Sequence, residues 1–210
     1  SILLINDLLL RNKFKGDIYL KFTFDVAEKP ESLNVAVEPM KYKSFKVNGT
    51  DVSFDDGYWL DRSFKRANIL DYVVEGKNEI VMSFEYYQRD YVYYVLYAGV
   101  SESLRNCLSF DTEVENIYLF GDFAVNTSAD KFEASERRSY CYTGEFSIGK
   151  SKDDINLSNV VVDGYPFFAG EVTAESEFEY SGGNCEIKLD GRFAYADIYV
   201  NDVFVKKLMF

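Results

Sequence analysis

The amino-acid sequence predicts an all-β fold built from two related β-sandwich modules, the second of them incomplete at its C-terminal end. Three observations lead to this prediction: a strand-favouring composition, a series of alternating apolar segments, and a hairpin pattern that occurs twice. The 210 residues include 17 Tyr and 18 Phe, and aromatic side chains are enriched in strands. Composition therefore favours β structure before any pattern is considered.

Alternation of apolar and polar residues predicts the strands of the first module, residues 15–125, which follows an entry segment at residues 1–14. These strands are expected at residues 22–26, 33–37, 79–86, 91–97 and 115–125. Asn48-Gly49 lies between alternating apolar residues, which predicts a hairpin because a type I′ turn needs positive φ at both central positions. One helical turn is expected between Asn68, as its N-cap, and Gly76.

The remainder of the chain is expected to hold a connecting region at residues 126–163 and a second sandwich at residues 164–210. Strands are predicted at residues 139–146, 171–180, 185–189 and 198–205. The segment of residues 126–138 carries mixed charge, so a solvent-exposed loop is expected there. Ser181-Gly182-Gly183-Asn184 is interpreted as a hairpin turn.

The pattern of residues 45–52 is repeated at residues 198–205, where Asn201 follows Asn48 at an offset of 153 positions. So long a period indicates two copies of one module, since solenoid repeats run roughly 20–50 residues. The first copy continues past its hairpin through residues 59–86, whereas the second stops at Phe210. We expect residues after 210, rather than another chain, to supply strands similar to residues 59–86.

Net charge and residue types exclude several classes of function. With 23 basic against 35 acidic residues, the formal charge is −12, which repels nucleic acids and anionic membranes. No apolar run approaches the roughly 20 residues that cross a bilayer, and the N-terminal residues lack the features of a signal peptide. We expect no nucleic-acid or membrane partner, and both a cytoplasmic and a secreted location remain open.

The sequence has no histidine, and its three cysteines, Cys107, Cys141 and Cys185, are far apart. The chain therefore lacks an imidazole base and an ordinary zinc site. Three cysteines allow at most one disulfide, which excludes a disulfide scaffold. Any catalysis would have to rest on carboxylates.

The acidic candidates for catalysis or metal binding lie in turn-like contexts, where Asp commonly caps or bends the chain. They are Asp55 with Asp56, Asp61, Asp122, and Asp153 with Asp154. The nearest approach to a calcium loop is Asp51…Asp55-Asp56-Gly57, which lacks the alternating ligands of such loops. We expect neither a catalytic pair nor a cofactor, and no pattern supports a structural calcium ion.

Several motifs together carry a family resemblance. They are the Val47-Asn48-Gly49 hairpin, the Trp59-Leu60-Asp61 element, the Gly76-Lys77-Asn78-Glu79-Ile80 run and the Val200-Asn201-Asp202 hairpin. In this order they resemble the galactose-binding-like jelly-roll domains of large bacterial glycoside hydrolases, of the family 2 β-galactosidase-like and α-L-rhamnosidase-like kinds. The resemblance implies that both modules are jelly rolls.

The resemblance further implies a non-catalytic accessory region of a bacterial glycoside hydrolase. Its partners would be a carbohydrate and the catalytic domain of the same parent chain. Two alternatives remain open: a stand-alone carbohydrate-binding or adhesion protein, and a purely structural scaffold.

Four residues are the candidates for carbohydrate binding: Trp59, Asp61, Tyr91 and Tyr93. A sugar ring presents C–H groups that suit an aromatic face, whereas its hydroxyl groups need polar partners such as Asp61. The structural alternative is that Trp59 closes one end of the sandwich while Asp61 fixes the following loop. The tyrosines would then contact a neighbouring domain.

Overall fold

The computed structural model describes residues 2–38, 40–127, 133–134, 140–141, 144–152, 154–156, 160–161, 163–189 and 194–209. The chain divides into two compact units. Unit 1 comprises Ser1–Ser128 and Gly144–Ser151, and unit 2 comprises Ala129–Thr143 and Lys152–Phe210. The fold is rich in β-strands, as predicted, but unit 1 also contains α-helices that an all-β class does not include.

The helices and strands follow one another along the chain. In order they are α1 (Ile2–Arg11), β1 (Gly16–Val26), β2 (Asn34–Val37), β3 (Tyr42–Val47), β4 (Thr50–Asp51), β5 (Tyr58–Trp59), β6 (Asp61–Asn68), a 3₁₀ turn (Leu70–Tyr72), β7 (Gly76–Tyr86), α2 (Asp90–Tyr97), α3 (Glu102–Asn106), β8 (Ile117–Phe120), β9 (Ala124–Thr127), β10 (Glu133–Ala134), β11 (Tyr140–Cys141), β12 (Phe146–Gly149), β13 (Tyr195–Val200) and β14 (Val203–Met209).

Unit 1 contains two sheets. The six-stranded sheet has the order β4-β3-β7-β1-β12-β9, and the four-stranded sheet has the order β5-β6-β2-β8. Neighbouring strands are antiparallel except for β1 and β12, which run parallel. The long β1 and β7 strands pair from Gly16↔Tyr86 to Val26↔Gly76, and they form the centre of the larger sheet.

The core of unit 1 lies between these two sheets. The larger sheet contributes Phe45, Val47, Ile80, Met82 and Phe84, and the smaller contributes Val35, Val37 and Ala67. Full burial of such a side chain stabilises a fold by roughly 1.5–3 kcal/mol. The two layers facing one core give unit 1 a sandwich-like architecture.

Both predicted Asn hairpins are confirmed. Asn48 and Gly49 have φ values of 48° and 82°, and Asn201 and Asp202 have φ values of 47° and 63°. Positive φ at both central residues is what a type I′ turn requires, and Asn, Asp and Gly adopt it at lower cost than other residues.

The first hairpin is tied to β7 by a pair of asparagines. Asn48 Nδ2 donates to Asn78 Oδ1 at 2.8 Å, and the backbone N–H of Glu79 donates to Asn48 Oδ1 at 2.9 Å. Asn78 Nδ2 in turn donates to the carbonyl oxygen atoms of Val74 and Gly76 at 2.7 and 2.9 Å. The Gly76-Lys77-Asn78 motif therefore fixes the start of β7 against the hairpin turn.

The predicted helical turn is confirmed in a shorter form, but its N-cap residue is Ile69 and not Asn68. It is a 3₁₀ turn at Leu70–Tyr72, and Asn68 Oδ1 accepts the backbone N–H of Leu70 at 2.9 Å. Gly76 has a φ of +95° and begins β7.

The strand prediction for residues 91–97 is wrong, since these residues lie in helix α2. Val92 and Val95 are its fully buried residues, and their spacing of three matches the helical period rather than the strand period. Tyr91, Tyr94 and Tyr97 are exposed.

Side chains close the segment that carries α2 and α3. Gln88 Nε2 donates to the carbonyl oxygen of Thr112 at 2.5 Å, and the backbone N–H of Asp111 donates to Gln88 Oε1 at 2.9 Å. Arg89 Nε lies 2.6 Å from Asp111 Oδ1. We call these contacts the 88–112 clasp, because they hold the two ends of the helical segment together.

Unit 2 has two separate two-stranded sheets among its described residues, β10 with β11 and β13 with β14. The strand predictions for residues 171–180 and 185–189 are wrong, because these segments have no regular secondary structure and are exposed. A strand needs a hydrogen-bonded neighbour, and alternation in sequence does not provide one. In the described part of the chain, no helix combines the length and hydropathy needed to span a membrane.

Candidate functional site

Trp59 is the centre of an aromatic cluster that crosses the four-stranded sheet, from β5 at one edge to β8 at the other. Its ring stacks on Phe120 with centroids 5.3 Å apart and an interplanar angle of 21°. The Tyr118 ring lies 5.5 Å away, and Phe64 meets Trp59 edge-on at 5.7 Å. We call these four side chains the aromatic patch.

Strand register places the aromatic patch on the face opposite the core. Ala36 of β2 pairs directly with Arg66 of β6 and Tyr118 of β8, and directly paired residues share a face. Val35 and Val37, on either side of Ala36, belong to the core, so Ala36 and its partners point outward. Ala36 is nevertheless fully buried, which shows that larger side chains cover it.

The aromatic patch presents ring surface to solvent. Tyr118 is 42% exposed, and Trp59, Phe64 and Phe120 are each half-buried. Ring–ring contacts of this kind hold the aromatic side chains in fixed orientations. The patch therefore offers a preformed apolar surface on an outer sheet face.

Asp61 lies at the border of the patch, two residues after Trp59. Its Oδ1 accepts the backbone N–H of Ser63 at 2.7 Å and also the Ser63 hydroxyl. These hydrogen bonds, with the hydroxyl contributing most, hold the pKa of Asp61 below its usual range. Asp61 is thus a fixed, ionised acceptor at neutral pH.

An ion pair lies on the same outer face. Arg66 Nε donates to both carboxylate oxygens of Asp55 at 3.1 and 3.0 Å, and the backbone N–H of Gly57 donates to Asp55 Oδ1 at 2.6 Å. The Arg66 guanidinium occupies the space that a side chain at position 57 would need. Glycine there lets the ion pair lie close to the backbone.

The segment closest to a calcium loop is thus used for ion pairing. Asp55 binds Arg66, and Asp51 Oδ2 lies 3.2 Å from Lys46 Nζ. Among the described residues, no group of three or more acidic or cysteine side chains is arranged to hold a metal ion.

Tyr91 and Tyr93 lie on α2 and not on the sheet that carries Trp59 and Asp61. Lys13 Nζ lies 5.3 Å from the centre of the Tyr93 ring. Burial raises the pKa of Tyr93, and Tyr97 and Asp90 raise it further. Lys13 and Tyr93 border an open cleft of about 420 Å³, whereas Tyr91 does not line it. The cleft is a second candidate surface.

A group of glutamates lies elsewhere on unit 1. Burial, followed by repulsion from Glu38, raises the pKa of both Glu113 and Glu115. The Tyr42 hydroxyl donates to the backbone carbonyl of Glu38 at 2.6 Å, and burial together with the nearby glutamates raises the pKa of Tyr42. The carboxylates of Glu38, Glu113 and Glu115 therefore repel one another when they are ionised.

Sequence reasoning found Trp59 and Asp61 but missed Phe64, Tyr118 and Phe120. The signal was present in Ile117-Tyr118-Leu119-Phe120, because Ile117 and Leu119 pack against the core and the two aromatic residues must then face outward. An outward pair of aromatic residues at alternate positions of a strand marks an exposed patch.

Comparison with known proteins gives no relative: no family model matches the chain, and neither a curated protein nor a solved structure does. The aromatic patch is therefore the best-defined candidate site on the chain.

Proposed function

We propose that this chain is a non-catalytic carbohydrate-binding region and that it binds a glycan through the aromatic patch. The observation that carries the proposal is the half-buried Trp59 ring, held by Phe64, Tyr118 and Phe120 on an outer sheet face. The C–H face of a sugar ring packs against such an aromatic surface, and burial of apolar area drives the contact.

The border of the patch supplies the polar partners that a sugar needs. Asp61 accepts hydrogen bonds from sugar hydroxyl groups, and its ionised state strengthens them. The Arg66–Asp55 pair offers a donor and an acceptor on the same face. An apolar surface with few fixed polar groups is the usual composition of a small-molecule site.

The broader proposal is that the chain is an accessory region of a bacterial glycoside hydrolase, with the catalytic domain in the same parent chain. The order of the Asn48-Gly49, Trp59-Leu60-Asp61 and Gly76-Lys77-Asn78 motifs supports it, as does the sandwich-like arrangement of unit 1. On this proposal residues 15–125 and residues 164–210 belong to two jelly-roll modules. Tyr91 and Tyr93 provide a second contact for a longer glycan.

The test is a glycan-array screen of the chain, followed by isothermal titration calorimetry with the glycan that binds best. Trp59→Ala is expected to weaken binding about tenfold or more, because the ring supplies both apolar area and stacking geometry. The matched control is Tyr19→Ala. Tyr19 is 73% exposed and lies on β1, in the other sheet, so its removal should leave affinity unchanged.

Several outcomes would contradict the proposal. Absence of binding to every glycan would favour a structural scaffold instead. Binding that survives Trp59→Ala but is lost in Tyr91→Ala or Tyr93→Ala would move the site to α2. Thermal melts of each variant show whether the change in binding arises from the site or from unfolding.

A further inference from the structure

The two hairpins align without a gap and share the same turn geometry. Strands β3 and β13 each have six residues, begin with Tyr and end with Val, and an Asn follows each at a nearly identical φ. The offset of 153 positions thus relates Tyr42 to Tyr195 and Asn48 to Asn201. The contacts of the first hairpin therefore indicate which contacts the second hairpin can make.

The apolar positions of the two hairpins differ in burial. In the first hairpin Val47 and Val52 are buried, at 0% and 8% exposure. Their counterparts Val200 and Val205 are 36% and 57% exposed. A two-stranded hairpin alone is marginally stable in water, and an apolar surface of this kind marks an interaction site.

The strand that covers the first hairpin is β7. It pairs along the edge of β3 opposite β4, with Val47↔Ile80 and Lys46↔Val81. The backbone N–H of Asn48 also donates to the carbonyl oxygen of Glu79 at 2.9 Å. Pairing with β7 thus places β3 between two strands of the larger sheet.

No strand pairs with the corresponding edge of β13 among the described residues, where the sheet consists of β13 and β14 alone. In the same part of the chain, the Asn201 side chain makes none of the hydrogen bonds that Asn48 makes to Asn78, Tyr72 and Glu79. An unpaired strand edge exposes a row of N–H and C=O groups to which another strand can bind.

We propose that the free edge of β13 binds an extended partner strand of defined chemistry. That strand begins Gly-x-Asn and continues with apolar residues at alternate positions, as Gly76–Tyr86 does beside β3. Its Asn accepts a hydrogen bond from the Asn201 side-chain amide, and its apolar residues extend the surface formed by Val200 and Val205. Binding by addition of a strand is a common mode of peptide recognition. The proposal is independent of the carbohydrate site.

The experiment uses the full chain and a fluorescent peptide with the sequence of residues 76–86, which is a strand of the required class. We expect saturable binding by fluorescence anisotropy and slower amide hydrogen exchange in residues 195–200. Replacement of the peptide residue equivalent to Asn78 by Ala should weaken binding about fivefold, the scale of one or two lost hydrogen bonds.

A variant of the chain tests the same contact from the other side. Asn201→Gly retains the positive φ of the turn at little cost and removes the side-chain amide, so it should weaken peptide binding by a similar factor. Wild-type affinity in both the Asn201→Gly chain and the Ala peptide would overturn the proposal.

Three further results would overturn it. The first is absence of peptide binding, and the second is protection in residues 42–47 instead of 195–200, which would indicate exchange with β7. The third is dimerisation of the chain through β13 that excludes the peptide, as shown by analytical ultracentrifugation.

Discussion

The side-chain amide of Asn78 connects the Asn48 side chain of the first hairpin to the backbone of Val74 and Gly76. Its Oδ1 accepts from Asn48 Nδ2 and from the backbone N–H of Val74, both at 2.8 Å, while its Nδ2 bonds two carbonyl groups. Asn78 is only 2% exposed. Buried polar groups of this kind are costly to leave without partners.

Replacement of Asn78 by Ala is expected to lower the free energy of unfolding by about 2–3 kcal/mol, because several buried groups lose their partner. Urea denaturation followed by tryptophan fluorescence measures this loss. The matched control is Asn68→Ala, which removes one exposed hydrogen bond to the N–H of Leu70 and should cost about 1 kcal/mol or less. Equal losses in the two variants would contradict a special role for the buried amide.

The sequence predicted turns at Asn48 and Asn201, but it did not predict the hydrogen bonds that the asparagine side chains make. An Asn-Gly pair between apolar residues predicts a turn, because residues that are adjacent in sequence determine the geometry of a turn. The bond between Asn48 and Asn78 joins positions 30 residues apart, and no local pattern encodes it. Alternation along β8 indicates that Tyr118 and Phe120 face outward, but it does not show that they meet Trp59, which lies on another strand.

At the scale of elements, α2 shows why an aromatic-rich segment was wrongly predicted to be a strand. Tyr and Val favour strands, and alternation of Tyr91 with Tyr93 suggested one. Helix α2 forms because Val92 and Val95 pack inward at helical spacing, and the 88–112 clasp joins the two ends of the segment that carries α2 and α3. Tertiary packing overrides intrinsic preference here, and the clasp is not visible in sequence because its residues lie more than 20 positions apart.

Gln88→Ala tests the clasp. Loss of its hydrogen bonds to Asp111 and Thr112 should lower global stability by only about 1 kcal/mol and should accelerate amide hydrogen exchange selectively in residues 90–106. Exchange in β1 and β7 should stay slow, because their pairing does not involve Gln88. The control, Tyr94→Ala, removes an exposed side chain of α2, and its exchange should match that of the wild type. Uniform acceleration across unit 1 would show that the clasp supports the whole unit.

At the scale of the whole molecule, an excess of negative charge makes stability depend on pH. The raised pKa values of Glu113 and Glu115 mean that their carboxyl groups bind protons more tightly in the folded chain than in the unfolded chain. Their protonation stabilises the fold at low pH, and this stabilisation is lost as pH rises through the raised pKa values. At neutral pH the charges near Glu38 therefore repel one another.

Glu115→Gln is expected to melt at a higher temperature than the wild type at pH 7. The gain should be at most about 0.5–1 kcal/mol, because exposed charges interact weakly, and it should vanish near pH 4, where both states are protonated. Melting curves from pH 4 to pH 8 measure the difference. Glu75→Gln removes the same charge from an exposed turn and should bring no gain. A benefit of Glu115→Gln that persists at pH 4 would rule out the electrostatic cause.

The position of β12 has a consequence for how the chain is made. Strand β12 lies between β1 and β9 in the larger sheet of unit 1, yet the chain reaches it only after residues 129–143, which belong to unit 2. During synthesis on the ribosome, part of unit 2 is therefore made before β9 can pair with β12. A shortened version of the protein that is meant to preserve unit 1 has to extend to Ser151. Such a version includes residues 129–143 of unit 2 as an insertion.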